Sequence, residues 1–320
     1  MEAFTWSDLV RRTGSERRAR TALAQGEYRR VCRGAYADAV HPDGLGLRVE
    51  AARLVLPPGA ALSGPSALWL IGVPYTAADT LHVTVPRGRH LQPRAHLTPH
   101  SADLPERDLC EVGGLLVTSA ARAVADIARS RPLIEAVELG DAALRAGATT
   151  LAALEASLEL AAGLRGVRRA RLVVPHLEPR SESPRESRLR MTLVLGGLRR
   201  PQAQLDVYDA QGQHVGRVDL HVDGVAIEYD GFDEHTGIDS FGRDRRRHNA
   251  LSELGLEVRR FTAVDLRSRS GASLVAEVTR AVEQAAGRDR SAVHRGPDTL
   301  RRPRLQPLPT LDQLHLRRSA

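Results

Sequence analysis

Between Val218 and His235 the chain reads VDLHVDGVAIEYDGFDEH, with six acidic residues and two histidines in eighteen positions. Asp223-Gly224 is a two-residue hairpin signal, because both residues tolerate positive φ. That turn sets Val222 against Val225, Leu220 against Ile227 and Val218 against Tyr229, which makes one side apolar. On the other side His221 faces Ala226, Arg217 faces Asp230, and Asp219 faces Glu228 with Cβ atoms roughly 5 Å apart. Like charges so placed destabilise a hairpin unless a retained proton, an arginine or a divalent cation intervenes. Asp230 has Arg217 for a partner, whereas Asp219 and Glu228 have none within the hairpin. A hard cation bound by carboxylate oxygens fits best. The plainer alternative is a solvated polar face that tolerates the repulsion.

The neighbouring elements must hold these acids in place. Upstream, SPRESRLRMTLVLGGL is expected to be a helix with Ser183 at the N-cap, Pro184 at the first position and Glu186 closing a capping box. Glu186 is thereby explained by capping, and can also direct its carboxylate at the hairpin as a third acid. Downstream, IDSFGRDRRRHNALSELG reads as a helix stopped by Gly255, with Phe241, His248, Leu251 and Leu254 on its apolar side. Arg243, Arg246 and Arg247 form its basic flank. The strand LEVRRFT then alternates, with Leu256, Val258 and Arg260 on one side. Acids on a sheet face beside an arginine-rich helix suit metal-assisted phosphodiester cleavage, in which a cation activates water and arginines hold the backbone phosphates.

The blocks ESRLR, RVDL, AIEYDG with the following His235, RDRRRHNAL and LGLEVRRFT occur here in one order. Over residues 183–284 the chain resembles the Vsr-like branch of the PD-(D/E)XK nucleases, bacterial proteins related to very-short-patch repair endonucleases. The resemblance implies an α/β fold with a restriction-endonuclease-like mixed sheet flanked by helices. It assigns Glu186 as the helix acid, Asp219 as the central ligand of Mg²⁺ or Mn²⁺ and Glu228 as the second acid. Asp230 occupies the position where that motif ends in lysine, and is counted with the catalytic set. His235 matches a histidine that assists proton transfer, and Arg245 and Asn249 match positions that contact substrate.

The N-terminal forty residues are expected to form a winged helix-turn-helix. TWSDLVRRTG is capped at Thr5 or Ser7 and ends at Gly14, SERRARTALAQG is capped at Ser15, and two short strands flank Arg33-Gly34. Arg17, Arg18 and Arg20 on the second helix, with Arg29, Arg30 and Arg33 on the wing, are placed to meet phosphates. Residues 45–172 mix helix and strand, and their histidines His82, His90, His96 and His100 read as scattered. FTWSDLVRRTG, RRVCRGAYA and LHVTVPRG make this region similar to AbiEi-type antitoxin proteins, which implies DNA binding and a toxin or phage-defence partner. The expected domains are 1–44, 45–172 as an α/β middle domain, 173–286 and a basic, disordered tail over 287–320.

Composition agrees with an anionic partner. The chain of 320 residues has 46 basic side chains, all of them arginine, and a formal charge of +7. A coding bias toward arginine explains the same charge. Cys32 and Cys110 form no CxxC, which argues against a zinc ribbon or a disulfide framework. No stretch reads as a membrane span or a signal peptide, so a cytoplasmic location is expected. The residues point to a metal-dependent DNA endonuclease-like protein, with a non-catalytic, antitoxin-like DNA-binding regulator as the alternative.

Overall fold

The computed structural model describes residues 2–74, 80–231, 238–267, 271–288 and 294–295, and the side chains of 238–244 and 294–295 are not among what it describes. The chain divides into two compact units, residues 1–127 with 148–160 and residues 128–147 with 161–320. Both are mixed α/β.

The first unit opens with β1 (Ala3–Phe4), α1 (Trp6–Thr13), α2 (Glu16–Ala24), β2 (Tyr28–Cys32) and β3 (Ala35–Asp38). Thr5 caps α1 in a capping box with Asp8, Gly14 ends it in the left-handed region, and Ser15 caps α2. The strands order β1-β3-β2, with the β2–β3 turn at Arg33-Gly34. The unit continues with α3 (Leu45–Val55), β4 (Ala61–Leu62), α4 (Gly64–Ile71), β5 (Leu81–Val85), β6 (Leu97–Ser101), β7 (Leu109–Val112), β8 (Leu115–Thr118) and α5 (Ala120–Ser130), within which the division between units falls. Its second sheet runs β6-β5-β4-β8-β7. One core connects Ala3, Val31 and Ala35 through Leu47 and Ala51 to Leu62, Val83 and Leu115. Residues 1–44 are therefore continuous in packing with α3 and the second sheet, not the separate domain expected, because α3 buries apolar residues against both sheets.

The second unit takes α6 (Leu133–Arg145), while α7 (Leu151–Leu160) belongs to the first. Next come α8 (Val167–Val173), α9 (Pro184–Leu195), β9 (Gln202–Tyr208), β10 (His214–Val222), β11 (Val225–Tyr229), α10 (Ile238–Glu253), β12 (Glu257–Phe261), α11 (Gly271–Ala285) and β13 (His294–Arg295). The sheet order is β12-β11-β10-β9-β13, parallel between β11 and β12 and antiparallel elsewhere. The boundary expected at 172 shifts because α6 packs along α9. β13 also lies inside the stretch expected to be a disordered tail, where its backbone pairs with Tyr208 and Val207.

Charge fastens α6 to α9. The Asp141 carboxylate accepts from the Arg190 guanidinium at 2.6 Å, the Ser187 hydroxyl at 2.7 Å and the Glu178 amide at 2.6 Å. Arg190, 0% exposed, also donates to the His176 carbonyl at 2.7 Å. Burial pushes the Asp141 carboxyl up to about 6, against the pull of Arg190. Removing one member leaves the other charge buried and uncompensated, so Asp141→Ala is expected to cost the second unit roughly 3–5 kcal/mol in urea unfolding. Replacing both with leucine and methionine should recover much of that loss, and an equal loss in single and double variants would refute the clamp.

His176 is held neutral within this cluster. Burial, with the nearby Arg200 and Arg190 charges, pushes its imidazole down to about 4. An unfolded chain takes up that proton near 6.5, so the histidine's contribution is complete above pH 6.5 and is lost as pH falls toward 4. The loss amounts to roughly 3 kcal/mol. Asp141 acts in the opposite sense over an overlapping window, but is common to both proteins when wild type is compared with His176→Gln. The stability difference between them is expected to shrink between pH 7 and 4.5, and a flat difference would mean that His176 is not buried as a neutral base.

Candidate functional site

The site begins with a break in the sheet. Asp223 and Gly224 take φ of +45° and +93°, the turn expected between β10 and β11. Leu220 pairs with Ile227, His221 with Ala226 and Val222 with Val225, also as expected. The expected apolar side nevertheless stops short of Val218. Residues two apart on a strand share a face, yet Leu220 packs with Leu189, Ala203, Ile227 and Phe261, whereas Val218 packs with Leu205, Val207, Ala226 and Leu251. Ala203 and Leu205 divide in the same way. Gln204 and Asp219 stand between these pairs, are not registered to each other, and Gln204 adopts φ of +50°. The two strands switch faces together at this point, and both faces remain buried. The polar side chains gather at the switch.

Asp219 and Glu228 do not form the confronting pair that the hairpin register suggested. The β10–β11 ladder ends at Leu220–Ile227, and an Asp219 carboxylate oxygen accepts from the Tyr229 amide at 2.9 Å. Glu186 comes from the first turn of α9, where Ser183 accepts from its amide at 3.2 Å and Pro184 starts the helix. Its carboxylate accepts from the Glu182 amide and from the Gln204 carboxamide, both at 2.8 Å. The reciprocal bond thus goes to the residue before the N-cap rather than to the cap itself. Glu186 is 7% exposed, and its carboxyl is raised first by burial and further by the charge of Asp219. Among the described residues neither Glu186 nor Asp219 has an ion-pair partner.

Glu228 has two. It is 5% exposed and meets Arg247 at 2.7 Å and Arg260 at 3.2 Å. Arg260 stands directly across from Glu228 on the parallel neighbour β12, and its other nitrogen lies 3.9 Å from Asp230. Arg247 crosses β10 at Gly216, where a Cβ would sit 3.0 Å from its Cδ, and it donates to the Arg217 carbonyl at 2.8 Å. Arg217 itself pairs with Glu182 at 2.9 Å, so the expected Arg217–Asp230 pairing gives way. Arginine therefore neutralises Glu228, where the sequence favoured a cation shared with Asp219.

The remaining predicted residues divide between exposed and undescribed positions. Arg245 and Asn249 are exposed on α10, and Arg17, Arg18 and Arg20 on α2 and Arg30 on β2 are exposed in the first unit. Arg20 is shared with Glu16 at 3.0 Å. His235 and the side chain of Arg243 lie outside the described residues. Sequence reasoning missed Gln204 and Arg260 as parts of the site. It also missed the approach of His82 to His100 at 2.9 Å between the parallel strands β5 and β6. A long polar residue flanked by apolar ones in QAQLDVY was the available signal for Gln204.

The donor atoms suit Mg²⁺ or Mn²⁺, which take hard carboxylate oxygens and commonly use one or two of them with water and substrate phosphate completing the shell. Among the described residues no group of three or more His, Cys, Asp or Glu side chains is placed to hold a metal ion. The fit is to a site of two carboxylates, Glu186 and Asp219.

No model of a known protein family matches the chain. Uncharacterized protein Rv2248 and Uncharacterized protein MT2308, from two strains of Mycobacterium tuberculosis, are each 30% identical over 258 residues, covering 80% of this chain and 93% of theirs. The chain belongs to their family. Among solved structures, the RV2827C protein from Mycobacterium tuberculosis is similar with a TM-score of 0.39 and 18% identity, covering 59% of this chain and 75% of that one. No helix among the described residues is long and apolar enough to cross a membrane.

If Glu186 and Asp219 share one pocket, Asp219→Asn removes a like charge and should lower the pH at which Glu186 titrates. Carboxyl-carbon NMR on the labelled protein measures this, and an unmoved midpoint would separate the two groups.

Proposed function

We propose that this protein is a metal-dependent DNA endonuclease-like enzyme whose chemistry resides in the second unit. The observation that carries the reading is the coupling of the buried Glu186 carboxylate to Asp219, two acids from different elements with no cation between them. Folding places like charges together here, and a divalent ion would relieve the repulsion. Glu186 and Asp219 would hold the ion, which supplies a water of lowered pKa and positive charge against the developing phosphorane. The chain's own contribution is positional. The Glu182 amide and the Gln204 carboxamide fix the Glu186 carboxylate, and the Tyr229 amide fixes Asp219. Exposed Arg245 and Asn249 on α10, with the arginines of the first unit, supply contacts to backbone phosphates.

A second reading has its own support. Asp230 replaces the motif lysine and Glu228 is consumed by two arginines, so a nuclease-derived fold that binds DNA without cutting it, as in an antitoxin-like regulator, accounts for those two features. Incubation with supercoiled, mismatched and single-stranded DNA separates the two readings. Nicking or cleavage is expected with Mg²⁺ or Mn²⁺ and is expected to fall at least 100-fold in Asp219→Ala, in line with removing a principal electrostatic contributor. Binding without cleavage across those cations would leave the regulator standing.

A further inference from the structure

The acid cluster is divided into two halves of opposite character. Glu186 and Asp219 have no ion-pair partner among the described residues, while Glu228 is engaged by Arg247 and Arg260. We propose that Glu228 is the anchor of a phosphate clamp, fixing the guanidiniums of Arg247 and Arg260 so that together they receive a phosphodiester of the nucleic-acid backbone. The clamp deepens the nuclease proposal and rests on it for the identity of the substrate, since it assigns the anion to one half of the pocket and leaves the acid pair in the other.

Four observations support it. A lone glutamate beside two guanidiniums leaves a net positive charge, which a metal ligand set would not have. Each guanidinium presents five N–H donors, more than one carboxylate can accept, and the Arg247 and Arg260 side chains remain 32% and 31% exposed. Both reaches are built into the backbone. Gly216 leaves room for the stem of Arg247, and the parallel register sets Arg260 opposite Glu228. Finally, Arg260 spans Glu228 and Asp230, the two acids of the E-x-D segment, and so brings a cation from the next strand to the place where the resemblance leads one to expect a lysine. Arginine does not give up its proton near neutral pH, so this cation holds and neutralises a phosphate but takes no proton from water.

The test uses the full chain and random-sequence duplex DNA, with affinity followed by fluorescence anisotropy across a range of salt concentrations. Calorimetric titration with Mn²⁺ is run in parallel. Arg260→Gln is expected to reduce the slope of log affinity against log salt by about 0.9, the loss of one phosphate contact, and to leave Mn²⁺ affinity within twofold. Arg260→Lys should keep the slope. Asp219→Asn should weaken Mn²⁺ at least tenfold and leave the slope unchanged. A wild-type slope in both Arg260→Gln and Arg247→Gln overturns the clamp, as does a slope lost equally in Arg260→Lys, which would mark a structural role. Neither measurement requires strand cleavage. A wild-type protein that never cuts therefore removes the nuclease reading, and the slope still decides the clamp.

Discussion

The second unit depends on a carboxylate and a guanidinium hidden from water together. Two ions moved to a low-dielectric interior are tolerated only when each finds its partner and the leftover donors and acceptors are also satisfied. Asp141 meets that condition with three donors, one of them a backbone amide from the segment that leads into α9. Arg190 spends another nitrogen on the His176 carbonyl. The pair thus fixes α6, the 176–178 segment and α9 in one arrangement. Glu186 lies one helical turn before Arg190, so the acid that enters the pocket is set by a charge contact made elsewhere on the same helix.

From that fixed helix the sheet does the rest. β9 and β10 exchange faces at Gln204 and Asp219, which lets one hairpin serve two apolar cores and still leave a polar opening between them. A non-glycine residue in the left-handed region is a small cost in backbone energy, and Gln204 carries it at the residue that holds Glu186. Local strain and the orientation of the acid belong to the same residue.

Much of this was legible in the sequence. The caps Thr5, Ser15 and Ser183, the Asp223-Gly224 turn and the three inner pairs of the hairpin arise from local rules that tertiary context did not override. The place of Glu186 on the helix was equally plain. What escaped was the consequence of non-local contact. Alternation along VDLHV places Val218 with Leu220, and only the partner strand, through Gln204, reverses that assignment. Arg260 reads as one residue of an alternating strand until parallel pairing sets it against Glu228. The two-unit division was illegible for the same reason, since nothing local in LIEAVELGDAALR says that Asp141 meets a residue 49 positions later.

The parallel pairing of β11 with β12 has a consequence for how the molecule assembles. The hairpin across Asp223-Gly224 is a contact between near neighbours and can close early, whereas β12 arrives only after the α10 crossover has been formed and its loop entropy overcome. A nascent hairpin therefore carries Asp219 and Glu228 with no guanidinium near, and is weakest at the end that will become the pocket. Arg247 and Arg260 reach Glu228 only when the long connection docks. Completion of the pocket and completion of the fold are then the same event, and a partly folded chain offers its acids to solvent without the arginines that give them a partner.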